Sequence, residues 1–325
     1  MEKQKVALIT GITGQDGSYM AEYLLGLNYK IYGLIRRTSS PNLSRIKHIL
    51  DKIELIDGDL TDQNSLNNAV RISQPDYIFS LGAQSFVKES WNSPESTYDI
   101  NGIGTLRLLE AMKQFKPDAR FYNAASSELF GKVQEVPQSE TTPFYPRSPY
   151  GISKLMAYWT VINYRESYGL FACNGICFNH ESERRGYEFV TRKISNCVSR
   201  IKLGLEKELV LGNLDSKRDW GYAPDYVKVF LTMLQQDIPK DYVICTGETH
   251  SIKEFVIAAF KHVGIENWQD YVRQDPKFMR PAEVELLIGD NSKIYKELGW
   301  QPKTKFLELV AKMVDNDMEL NKVKP

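Results

Sequence analysis

Tyr150 and Lys154 stand four residues apart in Tyr150-Gly151-Ile152-Ser153-Lys154, at the head of a stretch with helical character. That spacing puts a phenol and an ammonium on one helix face. A phenol with an ordinary pKa near ~10 is a poor base at neutral pH. A nearby ammonium favours the phenolate and brings it toward a useful range. Tyr and Lys at this spacing also occur on solvated helix faces, so the residues before them matter. Those are Ala125-Ser126-Ser127-Glu128-Leu129-Phe130-Gly131. Ser126 can hydrogen-bond a substrate hydroxyl that Tyr150 deprotonates. Glu128 adds a carboxyl group that can take a proton α to a transient ketone and then protonate a departing hydroxyl. Oxidation, reduction or epimerisation alone needs no such acid. The bland alternative is a surface carboxylate favoured at a helix start.

These residues need a scaffold, and the first half of the chain supplies one. Short β-rich runs at 5–10, 31–35, 53–56, 77–80 and 120–123 alternate with helical stretches such as 18–27 and 104–114. This βαβα rhythm predicts an α/β fold, a Rossmann-type doubly wound parallel sheet with helices on both faces. Ligands are then expected beyond the carboxyl ends of the strands. Directly after the first strand comes Gly11-Ile12-Thr13-Gly14-Gln15-Asp16-Gly17, opening a helix. Glycines there allow a tight turn and close approach of backbone N–H groups to a pyrophosphate at the helix N-terminus. The second strand ends in Arg36-Arg37-Thr38-Ser39 rather than an acid that would bind a ribose hydroxyl. Two guanidiniums and two hydroxyls suit a 2′-phosphate, so the expected cofactor is NADP rather than NAD. Asp59-Leu60 after the third strand are placed to contact the adenine, and Leu81-Gly82-Ala83-Gln84-Ser85 after the fourth to pass the nicotinamide half.

Bulk properties narrow the partners. Lys+Arg and Asp+Glu balance at 41 each over 325 residues, so no global field draws in nucleic acid or an anionic membrane. No apolar run approaches a membrane span, and the start resembles no signal peptide, which together point to the cytoplasm. Cys173, Cys177, Cys197 and Cys245 lack metal-ligand spacing and read as reduced, buried thiols, with no metal expected. After about residue 179 the rhythm loosens into Arg-rich, loop-like segments (181–185, 213–220) between shorter helices. Residues 1–178 are therefore expected to form the cofactor domain with the catalytic residues. Residues 179–325 are expected to bind mainly the substrate, with some segments returning to the first domain.

With these residues in hand, the sequence resembles the GDP-mannose 4,6-dehydratases of the extended short-chain dehydrogenase/reductase family over nearly its whole length. The similarity runs through 11–19, Arg36-Arg37, 81–85, 141–151, 178–182, 189–195, 211–215, Lys217-Arg218-Asp219-Trp220-Gly221 and Arg280-Pro281-Ala282-Glu283-Val284-Glu285. The resemblance implies a hydro-lyase that turns GDP-mannose into GDP-4-keto-6-deoxy-mannose, working as a homodimer or homotetramer. It implies Glu128 as base, Tyr150 as proton acceptor with Lys154 beside it and near the cofactor, and Ser126 where the family has Thr. His180 and Arg185 fall at cofactor positions, and Asn179, Lys193, Arg218, Arg280 and Glu283 at GDP-sugar positions. Ala125 and Phe130 replace a usual Ser and Tyr, Ser96 replaces a cofactor-contacting Tyr, and the stretch before Arg280 is shorter than in many relatives. The rival readings are a GDP-sugar reductase or epimerase, which Glu128 argues against, and a non-catalytic NADP-binding regulator.

Overall fold

A computed structural model describes residues 4–278, 284 and 286–322. Its centre is a parallel sheet of seven strands. Six come from the first half: β1 (Val6–Thr10), β2 (Lys30–Ile35), β3 (Glu54–Asp57), β4 (Tyr77–Ser80), β5 (Arg120–Ser126) and β6 (Phe171–Cys177). The seventh, Tyr242–Ile244, arrives from the second half and pairs with β6, giving the spatial order β3-β2-β1-β4-β5-β6 and then this strand. Every strand run expected from the sequence is present. β5 runs three residues further than its apolar pattern shows, because the small residues 124–126 continue the pairing against 175–177 of β6. That extension delivers Ser126 to the carboxyl edge of the sheet.

Alternation along the strands explains the two covered faces. Ala7 and Ile9 of β1 point into one core, shared with Met20, Leu24 and the helix Ala223–Leu234. Leu8 points into the other, shared with Leu66, Val70, Leu108 and Val161. Full burial of each large apolar side chain contributes about 1.5–3 kcal/mol, so both layers are firmly seated on the sheet.

The helix after β1 spans Gln15–Gly26, starting three residues earlier than its apolar period shows, since Gly14 takes the extended cap conformation. The long helix Pro149–Tyr168 begins where Ser148 Oγ accepts the Gly151 amide at 3.0 Å, with proline in its first turn. Gly169 ends it at φ 67°, a left-handed turn that glycine adopts without strain. A third core lies under the helices Val190–Lys202, Ile252–His262 and Phe306–Lys322 of the second half. The four cysteines are free thiols, three of them buried. Among the described residues no helix is long and apolar enough to cross a membrane.

Candidate active site

At the carboxyl edge of the sheet, the loop after β1 packs backbone against backbone on the loop after β4. A Cβ on Gly11 would lie 2.8 Å from the Gly82 backbone, and one on Gly17 would lie 2.2 Å from the Gly11 carbonyl oxygen. No side chain fits at either position. Thr10 ties the same two loops, its Oγ1 accepting the amides of Leu81 at 3.1 Å and Gly82 at 3.0 Å. Above them lies a cleft of about 430 Å³ lined by Gly11, Thr13, Gly14, Gln15, Asp16 and Gly17, by Arg36, Asp59 and Leu60, and by residues 81–85. Its floor of crowded glycines at a helix start fits a dinucleotide's pyrophosphate. A shallower depression near Lys30 and Lys52 holds none of the residues singled out by the sequence.

The expected cofactor residues are not all brought to this cleft. Ile12 is wholly buried, its side chain packing under Gly33. Arg37, Thr38 and Ser39 are exposed and do not line the cleft, whereas Arg36 does. The opposite wall comes from turns: Arg184 and Arg185 belong to the Arg-rich segment 181–185 and Phe189 to the block 189–195 singled out in the sequence, whereas no sequence pattern points to Arg45, Gly186 and Glu188. His180 sits beneath, stacked on Tyr226 with ring centroids 4.7 Å apart. Its Nδ1 lies 2.8 Å from the Phe178 carbonyl and its Nε2 2.8 Å from Asp16 Oδ2. Both partners can accept, an arrangement that favours an imidazolium donating from both ring nitrogens. Burial works against that charge, but Asp16 outweighs it and raises the pKa, while His180 lowers that of Asp16 despite its burial.

Ser126, Glu128, Tyr150 and Lys154 come together at the end of β5, and none of the four lines this cleft, Tyr150 and Lys154 included. Ser126 caps the turn Ser127–Leu129, its Oγ accepting the Glu128 amide at 3.2 Å. Glu128 is 7% exposed, not the surface acid of the alternative reading. The helix carrying Tyr150 presses on this turn: a Cβ on Gly151 would lie 2.8 Å from the Glu128 carbonyl oxygen. Burial pushes the Tyr150 phenol up to about 12, with Glu128 adding to the rise and a Ser126 hydrogen bond and Arg185 opposing it. Lys154 donates to the Ala124 carbonyl at 2.8 Å, and burial brings its pKa down to about 8. Its Nζ lies 6.0 Å from the Tyr150 ring centre.

Asn101, unremarkable in the sequence, joins the two regions. It sits in a π-helical turn, Asp99–Ile103, and is 2% exposed. Its amide donates to the Gln84 carbonyl and to Ser153 Oγ, both at 3.0 Å, while its oxygen accepts the Gln84 amide at 2.9 Å. The loop past β4 and the helix of Tyr150 are thereby fixed to each other.

In the second half, Asn179 lies on a short strand paired with Trp220–Tyr222. Lys193 donates to the Val210 carbonyl at 2.6 Å and stands 3.9 Å from the Phe278 ring centre. Arg218 is buried and donates to the Val284 carbonyl at 2.7 Å. Lys193 and Arg218 thus contact the residues on either side of 279–283 in the chain. Arg280 and Glu283 lie outside the described residues. Among those described, no group of three or more His, Cys, Asp and Glu could hold a metal ion.

Known proteins resemble this arrangement. Residues 8–313 match the family model described as GDP-mannose 4,6 dehydratase. The chain is 51% identical over 348 residues to GDP-mannose 4,6 dehydratase of Cricetulus griseus, covering 99% of this chain and 94% of that one. It is 52% identical over 334 residues to GDP-mannose 4,6 dehydratase 2 of Arabidopsis thaliana, covering 99% and 89%. Among solved structures it is similar to the UDP-glucose 4-epimerase of Thermus thermophilus in complex with NAD, with a TM-score of 0.84 and 25% identity over 96% of this chain and 98% of that one.

Proposed function

The chain belongs to the GDP-mannose 4,6-dehydratase family and dehydrates GDP-mannose, and we propose that it forms GDP-4-keto-6-deoxy-mannose through an NADP that is retained and never consumed. When bound, the nicotinamide supplies reversible hydride transfer, out of C4 at the start of the cycle and into C6 at its end. Tyr150 takes the O4 proton while Ser126 hydrogen-bonds the same oxygen. The Lys154 ammonium stabilises the phenolate that Tyr150 needs, countering the burial that pushes the phenol up to about 12. Glu128 takes the C5 proton, now acidic beside the 4-ketone, and delivers a proton to the C6 hydroxyl as it leaves as water. A proton returns to C5 as C6 is reduced, so the net change is loss of one water.

The observation that carries this reading is the burial of Glu128 in the same turn as Ser126, under the helix start that bears Tyr150. Arg36 at the cleft, with no acid ending β2, supports NADP over NAD. Crowded glycines hold the pyrophosphate, Arg185 completes the cofactor wall, and His180 braces it from beneath through Asp16. The GDP-sugar lies against Asn179, Lys193, Arg218, Arg280 and Glu283. Residues 1–178 supply most of the cofactor site and the catalytic residues, and 179–325 mainly the nucleotide-sugar site, with segments such as 184–189 and 242–244 returning to the first domain. Ile152, Met156 and Trp159 form an exposed apolar stripe on the helix of Tyr150, which supports a homo-oligomer.

The test is turnover of GDP-mannose with substoichiometric NADP⁺. Accumulation of the 4-keto product with no net change in NADPH supports the reading. In a parallel reaction supplied with NADPH, its stoichiometric consumption would make the protein a reductase.

A further inference from the structure

Arg45 lies nine residues past Arg36, outside the β2 terminus and the glycine loop, yet it lines the same cleft as Arg36, Gly58 and Asp59. Its backbone is anchored, because Ile46 beside it is wholly buried and Ile49 packs into the same core. Its guanidinium spans the cleft wall. Nε donates to the Arg184 carbonyl at 2.8 Å and Nη1 to the Thr13 carbonyl at 3.2 Å. By contrast, Arg36 begins a continuous exposed run, and its neighbours Arg37, Thr38 and Ser39 stay out of the cleft.

The other guanidiniums of the opposite wall are already neutralised. Arg184 pairs with Glu22 at 2.6 Å, and Arg185 with Glu181 at 3.0 Å. Among the described residues Arg45 has no carboxylate at ion-pair distance. Burial disfavours its charge, as do the nearby guanidiniums of Arg192 and Arg184, with Glu188 opposing them. A guanidinium has five N–H donors in a fixed fork, and only two bonds, both to backbone carbonyls, are made here. A half-buried cation with donors to spare calls for an anion. The pyrophosphate has the glycine loop, so the anion that remains is the one at the adenosine end, marked by Arg36, Gly58 and Asp59.

We infer that Arg45 binds the 2′-phosphate of NADP, as the anchored partner of the exposed Arg36. The inference rests on the proposal that the cofactor is NADP. Charge-assisted bonds from a preorganised fork favour a phosphate dianion over a ribose hydroxyl, so Arg45 sets cofactor preference and not merely cofactor affinity.

The decisive experiment titrates the unsubstituted protein, Arg45→Gln and Arg45→Lys with NADP⁺ and with NAD⁺, alongside thermal melts. Gln retains an amide donor for one of the two carbonyls but no charge; Lys retains the charge but not the fork. Arg45→Gln should weaken NADP⁺ roughly tenfold or more while leaving NAD⁺ within about twofold, and Arg45→Lys should fall between. Equal losses for both cofactors, or none, would show a brace of the cleft wall and overturn the inference. If Arg45→Gln does not fold, the ratio in Arg45→Lys decides by the same criterion. Equal affinity of the unsubstituted protein for NADP⁺ and NAD⁺ would instead refute the NADP reading itself.

Discussion

The hydroxyl of Ser126 accepts the amide hydrogen of Glu128 across 3.2 Å, so one turn at the end of β5 fixes both a hydroxyl and a carboxylate. Glu128→Gln preserves the size of this turn but cannot take the C5 proton. Product formation should fall by about 10²–10⁴-fold or more, as for loss of a general acid–base group. Oxidation at C4 needs no carboxylate, so a burst of bound NADPH absorbance should form and persist. In the unsubstituted enzyme, deuterium at C4 of GDP-mannose should reappear at C6, and solvent deuterium at C5. Full activity of Glu128→Gln would remove this residue from the mechanism.

Lys154→Met tests the electrostatic part of the proposal. Without the ammonium, the apparent pKa governing O4 deprotonation should rise toward that of a desolvated phenol. Activity at pH 7 should drop on the order of 10²-fold, and the deficit should shrink as pH increases. In the unsubstituted protein the ammonium is present below pH about 8 and fades above it. A loss of the same size at every pH would show that Lys154 serves only to position the helix through the Ala124 carbonyl.

The Asp16–His180 pair predicts a signed pH dependence. The folded pKa of His180 is raised, so its contribution is complete below its unfolded value near ~6.5 and disappears as pH climbs through the folded value. That of Asp16 is lowered, so its contribution is complete above its unfolded value and disappears as pH falls through the folded one. His180→Gln should cost about 1.5–3 kcal/mol near neutrality. It should also flatten the alkaline fall in melting temperature. A ring titration followed by NMR that puts His180 below its ordinary value would contradict the imidazolium assignment.

Arg218→Ala should weaken GDP binding roughly ten- to hundredfold, the worth of a charged hydrogen bond of about 1.5–3 kcal/mol, with NADP⁺ affinity unchanged. Arg218 holds the Val284 carbonyl, so its loss also releases the residue that follows Glu283 in the chain. Calorimetric titration with GDP settles the matter, and an unaltered affinity would withdraw Arg218 from the nucleotide site.

Much of the scaffold was legible because buried parallel strands are short apolar runs and helices carry a 3.6-residue period. The loop 11–17 was readable because steric crowding forces glycine there. Asn101 and Arg45 were not readable. Each acts through hydrogen bonds to backbone carbonyls distant in sequence, and such bonds leave no pattern in residue type. Ile12 went the other way: its place in the loop sequence gave no hint that its side chain turns into the core beneath Gly33.

The strand Tyr242–Ile244 covers β6, and this has a consequence for how the chain folds and fails. A fragment stopping near residue 178 would leave the buried end of β6, residues 175–177, as a naked edge. Unpaired N–H and C=O groups along a flat apolar strand template pairing with other chains. Until residues 242–244 dock, a nascent chain therefore carries an unpaired rim at residues 175–177, and the first half expressed alone should aggregate more readily than the whole chain. The protein should melt as one cooperative body, and proteolytic cuts that spare both halves but sever their connection should still leave them bound together.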